Sequence, residues 1–150
     1  MTAELLQLLT SLILGLFVGS LLTEGMILVP YWRSLNPETF LALHGKLGPR
    51  LFRYFAPLTV ASTLIPAVAF VYCFWVGAES GTYSAIVAAI QFAILGIFFY
   101  YFKSANASFA SGSVGVDGLP AELSRWANWH WLRTSMGLIA FALSLIALLK

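Results

Sequence analysis

Charge is what this chain has least of. Asp, Glu, Lys and Arg make up 9% of its 150 residues, while 60% are hydrophobic. Soluble domains carry roughly 25% charged residues, so this composition excludes an ordinary soluble domain and points to a membrane protein. Cysteine is as scarce: the lone Cys73 excludes an internal disulfide and cannot build a zinc cluster. A net charge of +2, with the basic residues scattered between apolar segments, excludes a nucleic-acid partner. No Lys or Arg precedes the first apolar run and no small-residue cleavage site follows it. That run therefore reads as a retained helix and not as a signal peptide.

What the chain has is four long apolar segments. The first, Leu5 to Val29, is interrupted by Glu24 and closed by Pro30-Tyr31-Trp32-Arg33, an aromatic and basic belt suited to the membrane interface. Gly15 and Gly19 give it a small-xxx-small face for close helix approach. Asn36-Pro37-Glu38 then has the order of a helix start: an N-cap, a proline in the first turn, and an acid near the positive end of the dipole. Phe40 to Phe55 mixes aromatics with His44, Lys46, Arg50 and Arg53, which predicts an interfacial amphipathic helix broken near Gly48-Pro49. The second span runs from Phe55 to Val76 and the third from Tyr83 to Phe102, with helix continuing through Asn106 to Phe109. Ser111 to Pro120, with three Gly and one Pro, is the one long loop.

The fourth helix, from Ala121 to Lys150, has too short an apolar part. Met136 to Leu149 falls below the roughly 20 residues a bilayer requires, so the span must draw in the Trp-rich stretch Glu122 to Arg133. The expected architecture is all-α: one domain over residues 1–150, an integral membrane four-helix bundle with an interfacial helix between the first and second spans. Seven of the eight basic residues fall in the connections between spans one and two or three and four. The positive-inside rule puts those connections in the cytoplasm and both termini on the non-cytoplasmic side, as in a cytoplasmic (inner) membrane protein.

Glu24, His44, Asn106, His130 and Arg133 gather in that half, and ionisable groups at membrane depth are candidate functional groups. Helical side chains lean toward the helix N-terminus, which sends Arg133 toward water and Glu24 into the bilayer, where it needs a partner or a proton. Three arrangements are open. Glu24 can pair with Arg133 and lock helix one to helix four. Glu24, His44 and His130 can converge as two imidazoles and a carboxylate on one non-haem metal ion. The same groups can line a metal-free pocket as acid, base and hydrogen-bond donor to a lipophilic substrate. Trp126, His130 and Arg133 share a helix face, being four and three residues apart. On the catalytic reading His130 transfers the proton or ligates, His44 assists, and Arg133 stabilises a developing anion. Trp126 and Trp129 together with Asn106 line the substrate site, and Trp131 points elsewhere.

Several short motifs resemble those of the DUF1772 family of small four-span membrane proteins, which includes the anthrone-oxygenase-like proteins. They are Gly-Leu-Phe-Val-Gly-Ser with Glu24 in the first span, Val29-Pro30-Tyr31-Trp32, Asn106 after the third, and Trp126-x-x-x-His130-x-x-Arg133 before the fourth. The resemblance implies a four-helix membrane fold and, for one branch, oxygenation of polycyclic aromatic phenols without an evident cofactor. Two functions are carried forward. One is an oxygenase-like oxidoreductase acting on a lipophilic substrate near the cytoplasmic side. The other is a non-catalytic structural or accessory subunit, with the lipid bilayer and a homo-oligomer or larger membrane complex as partners.

Overall fold

In a computed structural model, described over residues 2–150, all regular structure is helical. The first rod comprises α1 (Ala3–Thr23), a π turn (Glu24–Leu28) and α2 (Val29–Ser34). After a two-residue break, α3 (Pro37–Val76) returns. The third rod is α4 (Gly81–Ile97), a second π turn (Phe98–Phe102) and α5 (Lys103–Ser111); α6 (Leu119–Leu148) is the fourth. Each rod packs on two neighbours in the cyclic order first, α3, third, α6. All four are long and apolar enough to cross a membrane.

Local chemistry fixes the ends. Thr2 caps α1, its hydroxyl accepting from Leu5 N–H. Asn36 Oδ1 accepts from Thr39 N–H at 2.9 Å with Pro37 in the first turn, the start legible in the sequence. Gly77 ends α3 and Gly112 ends α5, with φ of +66° and +71° that residues bearing a Cβ avoid. The loop leading to α6 is shorter than the sequence indicates, because helix resumes at Leu119.

The break at Gly48-Pro49 does not occur. The segment expected as a separate interfacial helix is the first half of α3, a single helix of 40 residues that passes through Pro49, Pro57 and Pro66. At 1.5 Å per residue it is about 60 Å long, twice the roughly 30 Å hydrocarbon core. Its basic first half therefore extends the bundle beyond the depth its apolar second half can cross. Membrane helices tolerate proline where neighbouring elements satisfy the freed backbone groups. Here α5 lies alongside that half, with the Ala110 carbonyl 3.7 Å from where a Cβ on Gly45 would sit.

The outward faces are apolar: Leu12, Leu16, Val68, Phe74, Trp75 and Phe99 are each more than half exposed. Such a surface suits lipid and not water. The chain is a small integral membrane protein. At the end carrying Arg33 and the loop 112–118, the core is a cluster of rings, including Trp32, Phe40, Phe102, Phe109 and Trp126. We call this the basic end and the opposite one the terminal end.

Candidate functional site

Glu24 opens the first π turn, in which the Val29 N–H reaches back to the Glu24 carbonyl, and Pro30, which has no N–H to donate, follows directly. The second π turn, with Lys103 N–H bonded to the Phe98 carbonyl, lets consecutive Tyr101 and Phe102 both face inward while Phe99 and Tyr100 face out. Both π turns face the same stretch of α6, Trp126 to Arg133.

There a tight polar group forms. Arg133 Nη2 donates to Glu24 Oε2 at 3.0 Å and to His130 Nδ1 at 2.9 Å. His130 Nε2 lies 2.9 Å from the Leu21 carbonyl. A carbonyl can only accept and a guanidinium can only donate, so the partners assign the imidazole as the neutral tautomer with hydrogen on Nε2. The 3.5 Å approach of His130 Nδ1 to Glu24 Oε2 is then two acceptors sharing one Arg133 nitrogen, not an ion pair of their own. Both ring nitrogens are occupied. Arg133 does not reach for water: its guanidinium lies over the Phe102 ring, 4.1 Å from the centroid, and its side chain is 13% exposed.

Trp126 backs this group. Its ring stacks on His130 at 5.1 Å and 8°, meets the edges of Trp32 and Phe102, and donates Nε1–H to Asn106 Oδ1 at 2.9 Å. One face of the Trp126 ring, expected from the sequence to line a substrate site, is covered by the protein's own imidazole. Trp129 stacks on Tyr101, whose hydroxyl donates to Glu122. Trp131 does not point away: it meets His130 edge-on, and its ring lies 3.1 Å from where a Cβ on Gly25 would stand. That same Cβ would stand 3.0 Å from His130 Nε2, so any larger residue at position 25 would press on the pinned ring.

His44 is elsewhere. It sits among Trp32, Phe40 and Phe109, with Trp32 and then Trp126 between it and His130. Its Nδ1 is buried without a hydrogen-bond partner. Glu24, His44 and His130 do not form a ligand set, and among the described residues no three His, Cys, Asp or Glu side chains gather as one. The residues therefore do not fit the one-metal arrangement.

A cleft of about 550 Å³ runs between α1 and α3, lined by Gly19, Ser20 and Glu24 on one side and Leu51, Tyr54 and Phe55 on the other. Leu16 and Tyr54 at its edge are more than half exposed, so it opens on the flank of the bundle. The Ser20 and Tyr54 hydroxyls meet across it at 2.8 Å. Of the polar group, Glu24 reaches this cleft, with Oε2 held by Arg133 and Oε1 making no hydrogen bond to any described residue. Gly25, Phe102, the Leu21 carbonyl and both π turns were invisible to sequence reasoning; only Pro30 offered a signal, for the first turn. The chain matches no protein-family model, no curated protein and no solved structure.

Proposed function

We propose that the protein binds a lipophilic polycyclic phenol or its keto tautomer, taken from the bilayer into the cleft between α1 and α3, and acts on it as an oxygenase-like oxidoreductase. One observation carries the reading: a carboxylate clamped by a buried guanidinium lines a cleft open to the flank of a membrane bundle. Glu24, not His130, is then the group that meets the substrate. It takes the proton, Arg133 balances the phenolate or enolate that results, and His130 positions Arg133 from behind. The resemblance to anthrone-oxygenase-like proteins supplies the reaction class. Molecular oxygen is the oxidant, and a ring CH₂ becomes C=O as the second oxygen atom leaves as water.

Gly19 provides a clean test, because it lines the cleft and a Cβ there meets nothing within 4 Å. In lipid nanodiscs, Gly19→Leu should weaken binding of anthrone at least tenfold without shifting the melting temperature. Glu24→Gln should abolish anthrone-dependent oxygen uptake. Parent protein that neither binds anthrone nor consumes oxygen would sink the reading and leave the accessory-subunit role. Of the Gly15 and Gly19 face offered to a partner on that role, Gly15 already meets Phe141 of α6, while Gly19 is open.

The cleft lies toward the basic end, which the positive-inside rule assigns to the cytoplasm. With Cys73 replaced by Ser, single cysteines in residues 112–118 should react with an impermeant maleimide only after cells are opened. Labelling in intact cells would reverse the orientation.

A further inference from the structure

The centre of this bundle is not dry in character. Passing from the terminal end, Gln7 Nε2 donates to Ser84 Oγ at 2.6 Å, and one turn deeper Ser11 Oγ donates to Ser144 Oγ at 3.0 Å. At the far end Thr134 lies one turn from His130, whose carbonyl accepts from its hydroxyl at 2.8 Å. All of these side chains are buried. Between the two ends stands Gln91, 1% exposed, with neither amide nitrogen nor amide oxygen hydrogen-bonded. It is four residues past Val87 and three before Ile94. That places it between the apolar layer of Leu14, Val87 and Ala140 and the layer of Phe17, Leu21 and Ile94. Thr10 Oγ1, one turn before Leu14 on α1, is likewise buried and unpartnered.

Backbone chemistry adds an acceptor at this depth. Pro66 cannot return an N–H to the Ser62 carbonyl, and Ser62 is fully buried. Interhelical hydrogen bonds between polar side chains are ordinary in membrane bundles, but Gln91 makes none. A primary amide with two donors and two acceptor sites, left unsatisfied in the core of a native protein, calls for ordered water, which typically makes two to four hydrogen bonds to such groups.

We propose that the bundle axis holds a file of internal water molecules, seated on Thr10 and Gln91, that joins the terminal-end polar residues to His130 and carries protons to the Glu24–Arg133–His130 group. Thr10 and Gln91 stand on opposite sides of the layer of Leu14, Val87 and Ala140, about two helical turns or roughly 12 Å apart, so the file crosses that layer as several waters in a row. Nothing in this proposal depends on a molecule entering the cleft.

The chain has two glutamines, Gln7 and Gln91, and two histidines, His44 and His130, so selective ¹⁵N labelling yields resolvable side-chain signals. In lipid nanodiscs transferred to D₂O, the Gln91 side-chain protons should exchange within minutes, while the backbone amides of Val87 to Ile94 hold for hours. Thr10→Val should slow Gln91 exchange at least tenfold, and Gln91→Leu should slow exchange of the His130 ring N–H at least tenfold, with both variants retaining the parent's helical spectrum. Gln91 protons as slow as the neighbouring backbone, or rates unmoved by either substitution, would overturn the proposal.

Discussion

Replacing Glu24 by Leu should destabilise the protein in detergent by about 3–5 kcal/mol, the range for removing one member of a buried ion pair. The loss arises because Arg133, 13% exposed, is left with its charge uncompensated at membrane depth. The reciprocal change is expected to be milder. In Arg133→Leu the carboxyl group can bind a proton and become neutral, whereas a guanidinium cannot escape its charge by releasing one. The double variant Glu24→Leu, Arg133→Leu should recover part of the larger loss, since two apolar side chains replace two charges of similar volume. Thermal and denaturant unfolding of the four proteins measure this cycle. If the single variants melt at the parent temperature, the pair does not tie α6 to the first π turn.

The second large effect is expected at Trp126. Truncating a buried Trp to Ala costs about 3–5 kcal/mol, through lost transfer energy and the cavity left behind. Trp126, 3% exposed, contacts Trp32, Phe102 and His130 at once. Trp126→Ala should therefore collapse the near-ultraviolet circular dichroism of the aromatic cluster while the far-ultraviolet helical signal stays. Trp126→Phe keeps much of the packing and loses the bond to Asn106 Oδ1, and should cost more than the 1 kcal/mol or so of an ordinary hydrogen bond because the ring is also smaller. Asn106→Leu removes the same bond from the other side, and its cost should not add fully to that of Trp126→Phe. A Trp126→Ala variant with parental stability would show that the basic end is held by something else.

The four spans were legible because apolar length is a property of sequence alone. Glu24 and Arg133 could be matched because both lie at a similar depth on helices of opposite direction, and depth follows from counting residues. His44 could not be placed that way. Its position among Trp32, Phe40 and Phe109 depends on α3 continuing straight through Gly48-Pro49, where local propensity favours a break. Gly48 has a use that propensity does not reveal, since a Cβ there would sit 3.3 Å from the His44 ring. The stacking of His130 on Trp126 follows from their four-residue spacing, but the choice of the Leu21 carbonyl as its second anchor does not. Backbone acceptors carry no side-chain label, and the widened turn beside Leu21 is visible only in three dimensions.

The two π turns set unequal tolerances to insertion and deletion along this chain. A π turn holds one residue more than the α-helical turn it replaces, and each residue of α-helix advances the face by about 100°. Deleting one residue between Glu24 and Leu28 would restore an α-helical turn and leave α1 and α2 in register, because the π turn only absorbs the extra residue. Glu24 and Trp32, now eight apart, would be seven apart, a spacing that keeps both toward α6 in a regular helix. The same holds for Phe98–Phe102, which sets Phe102 under Arg133. A deletion or insertion elsewhere in the spans turns one half of the rod by about 100° against the other. Residues 112–118, bounded by helix ends and turning at Gly112 and Gly115, have no register to lose and can lengthen freely. Selection acting on length should therefore permit single-residue losses in two five-residue windows inside the spans, and otherwise leave its record of gains and losses in the loop.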